Sequence, residues 1–223
     1  MSAFINLAIL EDHQAIIDGY IHRLEPEVDI QVVATPMTGE ELEPALAKQP
    51  VDVLILDVSV PVSDANPNPY PLLPTISRLL ERYANLAILI ISNAGTRSMV
   101  SAVPEAGAVG YILKDDRAAM QDLATIVRVA RMGGIYLSPK VSGLLKERDH
   151  ASEIHLSARQ IEALSYCAAY PDLSTAEIAA RMQVAPSTVR NTLSSAYVRL
   201  DVSSRAAAVA RARALGLLSP EHG

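Results

Sequence analysis

The sequence predicts two domains of different class: an α/β doubly wound domain on a five-stranded parallel sheet, then an all-α domain of four helices. Three observations carry this. Apolar runs without polar alternation, Val53–Leu56 and Leu86–Ile91 above all, are what strands buried on both faces look like. Helical spacing recurs between such runs, as in Ile16, Ile17, Tyr20, Ile21 and Leu24, and strands alternating with helices imply parallel crossover connections. From Leu156 onward only the helical period remains.

The elements follow in order. Ile5–Leu10 is a first apolar strand, and the helix behind it ends at Pro26. Ile30–Thr35 alternates, as a strand nearer a sheet edge does, and a weakly marked helix spans Glu40–Lys48. The central strand Val53–Leu56 leads into a segment with prolines at 61, 67, 69, 71 and 74, which predicts a stiff extended loop without helix or inner strand. Ile76–Tyr83 is a helix and Leu86–Ile91 a strand; a polar turn holding Gly95 then precedes a helix over Arg97–Glu105. Ala108–Leu113 is the fifth strand, and Asp116–Met132 reads as one long helix with Leu123, Ile126, Val127 and Ala130 inward. Gly133-Gly134 stops it, which bounds a first domain at 1–132 and a linker at 133–155 with one short helix over Pro139–Glu147. In the second domain, 156–223, Ser157 caps a helix through Ala169, and Ser174 with Glu177 forms a capping box for a helix to Met182. After a turn at Val184–Ser187, helices over Thr188–Leu200 and Ser204–Leu215 complete it, the last stopped by Gly216.

Composition agrees with two domains: 223 residues, half of them apolar, with no Trp. No apolar run reaches the roughly 18 residues of a membrane span, and the start lacks a signal-type pattern, so the expected location is cytoplasmic. The lone Cys167 excludes an internal disulfide and reads as a small core residue; the five His show no metal-ligand spacing. Residues 1–151 hold 12 Lys+Arg against 19 Asp+Glu, whereas residues 152–223 hold 7 against 6. The acidic charge therefore belongs to the first domain. All seven cations of the second are Arg, a residue suited to phosphate and base-edge contacts.

Asp57 alone reads equally well as a turn or capping residue and as a ligand. Its neighbours decide. Glu11, Asp12, Asp57, Ser92 and Lys114 each follow the last apolar residue of a predicted strand, so a parallel sheet brings all five to the edge where such folds bind ligands. Clustered carboxylates repel unless a cation sits among them, and Mg²⁺ is the natural occupant. Lys114 and the Ser92 hydroxyl suit phosphoryl oxygens, and Asp57 then suits a nucleophile that takes a phosphoryl group in line. Glycine-rich nucleotide-binding patterns are absent from the sequence.

These residues carry a resemblance. Residues 5–132 resemble the receiver domain of bacterial two-component response regulators, a flavodoxin-like fold, with Glu11-Asp12, Asp57, Ser92, Tyr111 and Lys114 in the family's order and Pro61 at its usual place. The resemblance implies that Asp12 and Asp57 ligate Mg²⁺, with Glu11 nearby and the backbone carbonyl of Ser59 completing the site. It also implies that Tyr111 is a rotamer switch that follows Ser92 when phosphate arrives. The chain is several residues longer than usual between Asp57 and Ser92, within the proline-rich stretch.

In the third helix of the second domain Val189, Leu193, Ala196, Tyr197 and Leu200 make one buried stripe, which leaves Ser187, Arg190, Asn191 and Ser194 on the opposite face. Those side chains suit base edges and phosphates in a major groove. Residues 156–218 resemble the LuxR-type helix-turn-helix of NarL/FixJ regulators through Leu156-Ser157, Arg159, Glu162, Leu164, Glu177-Ile178-Ala179, Thr188–Asn191, Leu193, Arg199-Leu200, Val202 and Ser204-Arg205. Thr192 and Asp201 depart from the family's usual His and Gly. The resemblance implies that Thr188, Arg190, Asn191 and Ser194 face DNA, that Arg205 grips its backbone, and that Val209 and Ala210 serve a homodimer contact in the active state. The expected protein is a DNA-binding transcriptional response regulator, phosphorylated on Asp57 by a sensor histidine kinase and not itself an enzyme beyond slow autodephosphorylation. The alternative is a phosphorylation-independent DNA-binding regulator whose receiver is structural or ligand-sensing, an idea prompted by the proline-rich stretch.

Overall fold

A computed structural model describes residues 4–93, 95–146 and 154–220. Six strands form a single parallel sheet: β1 (Ile5–Leu10), β2 (Ile30–Ala34), β3 (Val53–Leu56), β6 (Ala87–Ser92), β7 (Gly110–Leu113) and β8 (Tyr136–Leu137). Their order is β2-β1-β3-β6-β7-β8. The chain thus winds outward from β1 to β2 and then returns to the other side of β1. Strand loops diverge at that reversal and open a crevice between β1 and β3. The doubly wound fold is as expected, with the two-residue strand β8 added at one edge.

The apolar runs are inner strands because both sheet faces are covered. Helices α1 (Gln14–Leu24), α5 (Arg117–Gln121) and α6 (Leu123–Arg131) bury Tyr20, Leu24, Ala119, Leu123 and Val127 against Leu7, Ile9, Ile55 and Leu89 on one face. Helices α2 (Gly39–Lys48), α3 (Leu72–Arg82) and α4 (Arg97–Glu105) cover Leu10, Leu54, Leu56 and Ile90 on the other. The helix expected over Asp116–Met132 is two helices. Asp122, at φ −93° and ψ 17°, breaks it.

The proline-rich stretch differs most from expectation. It folds into a hairpin of β4 (Pro61–Ser63) and β5 (Asn66–Pro69), and α3 begins at Leu72 rather than after the last proline. Pro61 and Pro69 face each other, and the bond beside them runs from the Tyr70 N–H to the Val60 carbonyl at 2.8 Å. Antiparallel pairs alternate between bonded and non-bonded positions, so two residues without N–H groups fit opposite one another. Pro74 is likewise tolerated in the first turn of α3, where the N–H would have no intrahelical partner.

Helix α7 (Pro139–Lys146) packs on α4 and β7, so the expected linker helix is part of the first domain's surface. The linker residues 147–153 lie outside the described residues. The second domain consists of α8 (Ala158–Ala169), α9 (Thr175–Arg181), α10 (Pro186–Leu200) and α11 (Arg205–Ala214) around Ile161, Leu164, Ile178, Val189, Leu193 and Ala212. Ser157 and Ser174 both form the capping boxes that satisfy the first turns of α8 and α9. Among the described residues no helix is long and apolar enough to cross a membrane.

Candidate functional site: an acidic rim and an exposed recognition helix

Strand register brings the rim residues together. Leu10 pairs with Leu56, Leu56 with Ile90, and Ser92 with Leu113, so the residues just beyond these ends are level. The Asp57 N–H bonds to the Leu10 carbonyl at 3.0 Å and the Lys114 N–H to the Ser92 carbonyl at 2.8 Å, which holds the two residues at the ends of β3 and β7 on the same sheet edge. Lys114 Nζ then donates to Glu11 Oε2 at 2.6 Å and to Asp57 Oδ2 at 3.1 Å, across 103 and 57 positions of sequence. The other Asp57 oxygen accepts from the Val58 N–H at 2.7 Å. Glu11 is 1% exposed, Asp57 5% and Ser92 0%, so this is a desolvated cluster.

Electrostatics follow from that burial. Desolvation pushes the Glu11 and Asp57 carboxyls above their usual range, although Lys114 pulls both back. Burial opposes the Lys114 charge too, but Asp57 and Glu11 outweigh it and its pKa is raised. Three carboxylates face one ammonium, since Asp12, with 9% of its side chain exposed, adjoins Glu11. Glu11, Asp12 and His13 offer ligand atoms all within 4.8 Å of one another, while Asp57 joins them through Lys114. An oxygen-rich set with excess negative charge fits a hard divalent cation.

Tyr111 lies entirely inside, hydrogen-bonded to Ser92, and burial pushes its hydroxyl up to about 12. Sequence reasoning missed His13 and Tyr20. The His13 ring contacts Asp12 at 3.0 Å and Glu11 at 3.3 Å, and these carboxylates, Asp12 first, raise its pKa. Among the described residues the buried Tyr20 hydroxyl has no hydrogen-bond partner; burial, then the charges of Glu11 and Asp57, oppose its ionisation. The proximity of Asp12 to His13 was legible as adjacency, whereas nothing in the period of α1 distinguishes Tyr20 from a core residue.

In the second domain Pro186 starts α10 where its missing N–H costs nothing. Val189, Leu193, Ala196 and Leu200 are buried, while Ser187, Thr188, Arg190, Asn191 and Ser194 are all exposed on one polar face. Gln160 of α8 donates to Ser195 at 3.0 Å and holds the recognition helix against its support. Arg205 is half-buried and donates to the Leu173 carbonyl, so it ties α11 to the α8–α9 connection. On α11 Val209 is half-buried and Ala210 exposed.

An acidic rim at one edge of a parallel sheet, carried on the same chain as an exposed helix of a helix-turn-helix, is the arrangement of a receiver joined to a DNA-binding domain. Comparison with known proteins gives the same class. The family described as the response regulator receiver domain matches residues 7–128, and the luxR family of bacterial regulatory proteins matches residues 155–212. The transcriptional regulatory protein DegU of Brevibacillus brevis is 26% identical over 92% of this chain and 91% of its own length. A nitrate/nitrite response regulator protein homolog of Haemophilus influenzae is 29% identical over 92% and 94%. Among solved structures, the isolated receiver domain of RcsB from Salmonella enterica serovar Typhimurium, determined with a beryllofluoride phosphomimetic, aligns at a TM-score of 0.56. It is 25% identical and covers 64% of this chain and 99% of that one. The chain belongs to the bacterial response regulators, in the NarL/FixJ group that joins a receiver to a LuxR-type helix-turn-helix.

Proposed function

We propose that this chain is a cytoplasmic transcription regulator whose Asp57 accepts a phosphoryl group from a sensor histidine kinase, with Mg²⁺ bound at the rim, and which then binds duplex DNA as a homodimer. The observation that carries the reading is the double contact of Lys114 with Glu11 and Asp57 inside a desolvated crevice. In the transfer, an Asp57 oxygen attacks the phosphorus of a phosphohistidine, the P–N bond breaks, and the imidazole keeps the electron pair. Mg²⁺, held by Asp12 and Asp57 with Glu11 nearby and the Ser59 carbonyl, would neutralise the phosphoryl oxygens. Lys114 moves from the carboxylates to one such oxygen, and the Ser92 hydroxyl donates to another, which changes its bond to Tyr111.

On the DNA side Arg190 and Asn191 suit guanine and adenine edges, and Ser187, Thr188 and Ser194 suit phosphates or bases. Val209 and Ala210 are the proposed dimer contact. Titration of beryllofluoride with Mg²⁺, followed by amide chemical shifts around Asp57, Ser92 and Tyr111, tests the reading. Saturable binding by the wild type and none by Asp57→Asn is the expected result. Equal behaviour of the two would favour a regulator that works without phosphorylation.

A further inference from the structure

The hairpin of β4 and β5 follows Asp57 directly, yet it packs outward against α2 and against α8 of the second domain. Asn66 Nδ2 donates to the Ala169 carbonyl at 2.9 Å. Ala169 is the last residue of α8, where helix carbonyls lack intrahelical partners, so this bond caps one domain with a residue of the other. Asn66 is itself held in place, because its Oδ1 accepts from the backbone N–H of Asn68 at 3.2 Å and its side chain at 2.8 Å.

A second tie lies nearby. Thr96 Oγ1 donates to the Gly216 carbonyl at 2.9 Å, and Ser98 Oγ to Leu215 at 3.3 Å. Gly216 has a φ of +67°, and a Cβ there would meet Thr96 Oγ1 at 2.3 Å, so the closeness of this approach requires glycine. Between the ties Pro69, Leu73 and Met99 meet Ala168, Leu217 and Leu218 across a narrow, partly open cleft. Leu73 packs against the cores of both domains. With the domains so joined, Ser187, Thr188, Arg190, Asn191 and Ser194 all stay exposed.

We propose that the inserted hairpin is an interdomain docking surface whose partner is the C-terminal end of α8 in the same chain. Together with the Thr96–Gly216 tie it holds the domains in a docked form that leaves the recognition face open. Docking in this protein therefore sets the orientation of the DNA-binding domain rather than masking it. Both ties leave from rim loops, one after Asp57 and one after Ser92. The open-face half rests on the DNA-binding reading; the docking half does not, and the two are measured separately.

The test uses the full chain and the variants Asn66→Asp and Asn66→Asp/Thr96→Asp. Asp at 66 keeps the oxygen that Asn68 needs, and Asp at 96 keeps the capping acceptor for the Met99 N–H. Each substitution puts a carboxylate against the carbonyl its predecessor bonded. Circular dichroism checks that both domains stay folded, and the single variant serves if the double one does not. Small-angle scattering should give the wild type a radius of gyration near that of a compact body of this length, about 17 Å, and a larger one for the variant. Identical radii would overturn the docking. Binding to duplexes selected from a random pool should be no more than about threefold tighter for the variant than for the wild type. A greater gain would mean the docked form hides the recognition face, and would overturn that half alone.

Discussion

Replacing Lys114 with Met tests the rim as a charge cluster. The substitution keeps a linear side chain and removes the ammonium that bridges Glu11 and Asp57, which lie 2.6 and 3.1 Å from Nζ. Removing one partner of a buried ion pair costs about 3–5 kcal/mol, because the charge left behind has neither water nor partner. With 9% of the Lys114 side chain exposed, solvent screening reduces that figure little, so we expect a loss of about 3 kcal/mol in receiver stability at neutral pH, measured by urea denaturation.

The loss must also depend on pH. Burial already raises the folded-state pKa of Glu11 and Asp57, and without Lys114 both rise further. A carboxyl raised in this way keeps, in the folded state, a proton the unfolded state has released. Its contribution is therefore present at low pH and lost as pH rises through the folded value. The gap between Lys114→Met and wild type should narrow steadily as the pH is lowered. Mg²⁺ should stabilise each protein by about 2.7 kcal/mol at a hundredfold excess over that protein's own dissociation constant, and should narrow the gap by the amount by which the variant, with its uncompensated carboxylates, binds the ion more tightly. A loss below about 1 kcal/mol that is the same at every pH would refute the reasoning, since it would mean the carboxylates do not depend on Lys114.

Three further outcomes follow from single residues. Asp201 ends α10 at φ 55° and ψ 52°, a conformation glycine adopts without penalty, so Asp201→Gly should stabilise the second domain by about 1 kcal/mol in thermal unfolding. Tyr20→Phe removes a buried hydroxyl that has no partner among the described residues; chemical denaturation should show unchanged or higher stability, by up to about 1–3 kcal/mol. Arg190→Ala should leave the melting temperature unchanged, because the side chain is exposed. It should also relax base preference at one operator position by about 1–3 kcal/mol in a competition binding assay.

Most of the fold was legible because it rests on local periodicity. Val53–Leu56 and Ala87–Ser92 are strands for the reason their runs suggest, and Ser157 and Ser174 start helices through capping that lies within four residues. The rim was legible as well, since strand ends in a parallel sheet share one edge. What escaped depends on contacts distant in sequence. The prolines at 61 and 69 argued against strands until their pairing placed them opposite one another, where neither needs an N–H. Strand β8 is two residues that join only because β7 offers an open edge. The bond of Arg205 to the Leu173 carbonyl, 32 residues away, has no local signal in the sequence.

The central claim is that Asp57 takes a phosphoryl group at a rim assembled by the sheet. Intact-mass spectrometry after incubation with a small phosphoramidate donor and Mg²⁺ tests it most directly. The wild type should gain the mass of one phosphoryl group, in a base-labile bond that maps to Asp57, and Asp57→Asn should gain none. A wild type that stays unmodified, or a variant modified to the same extent, would contradict the claim.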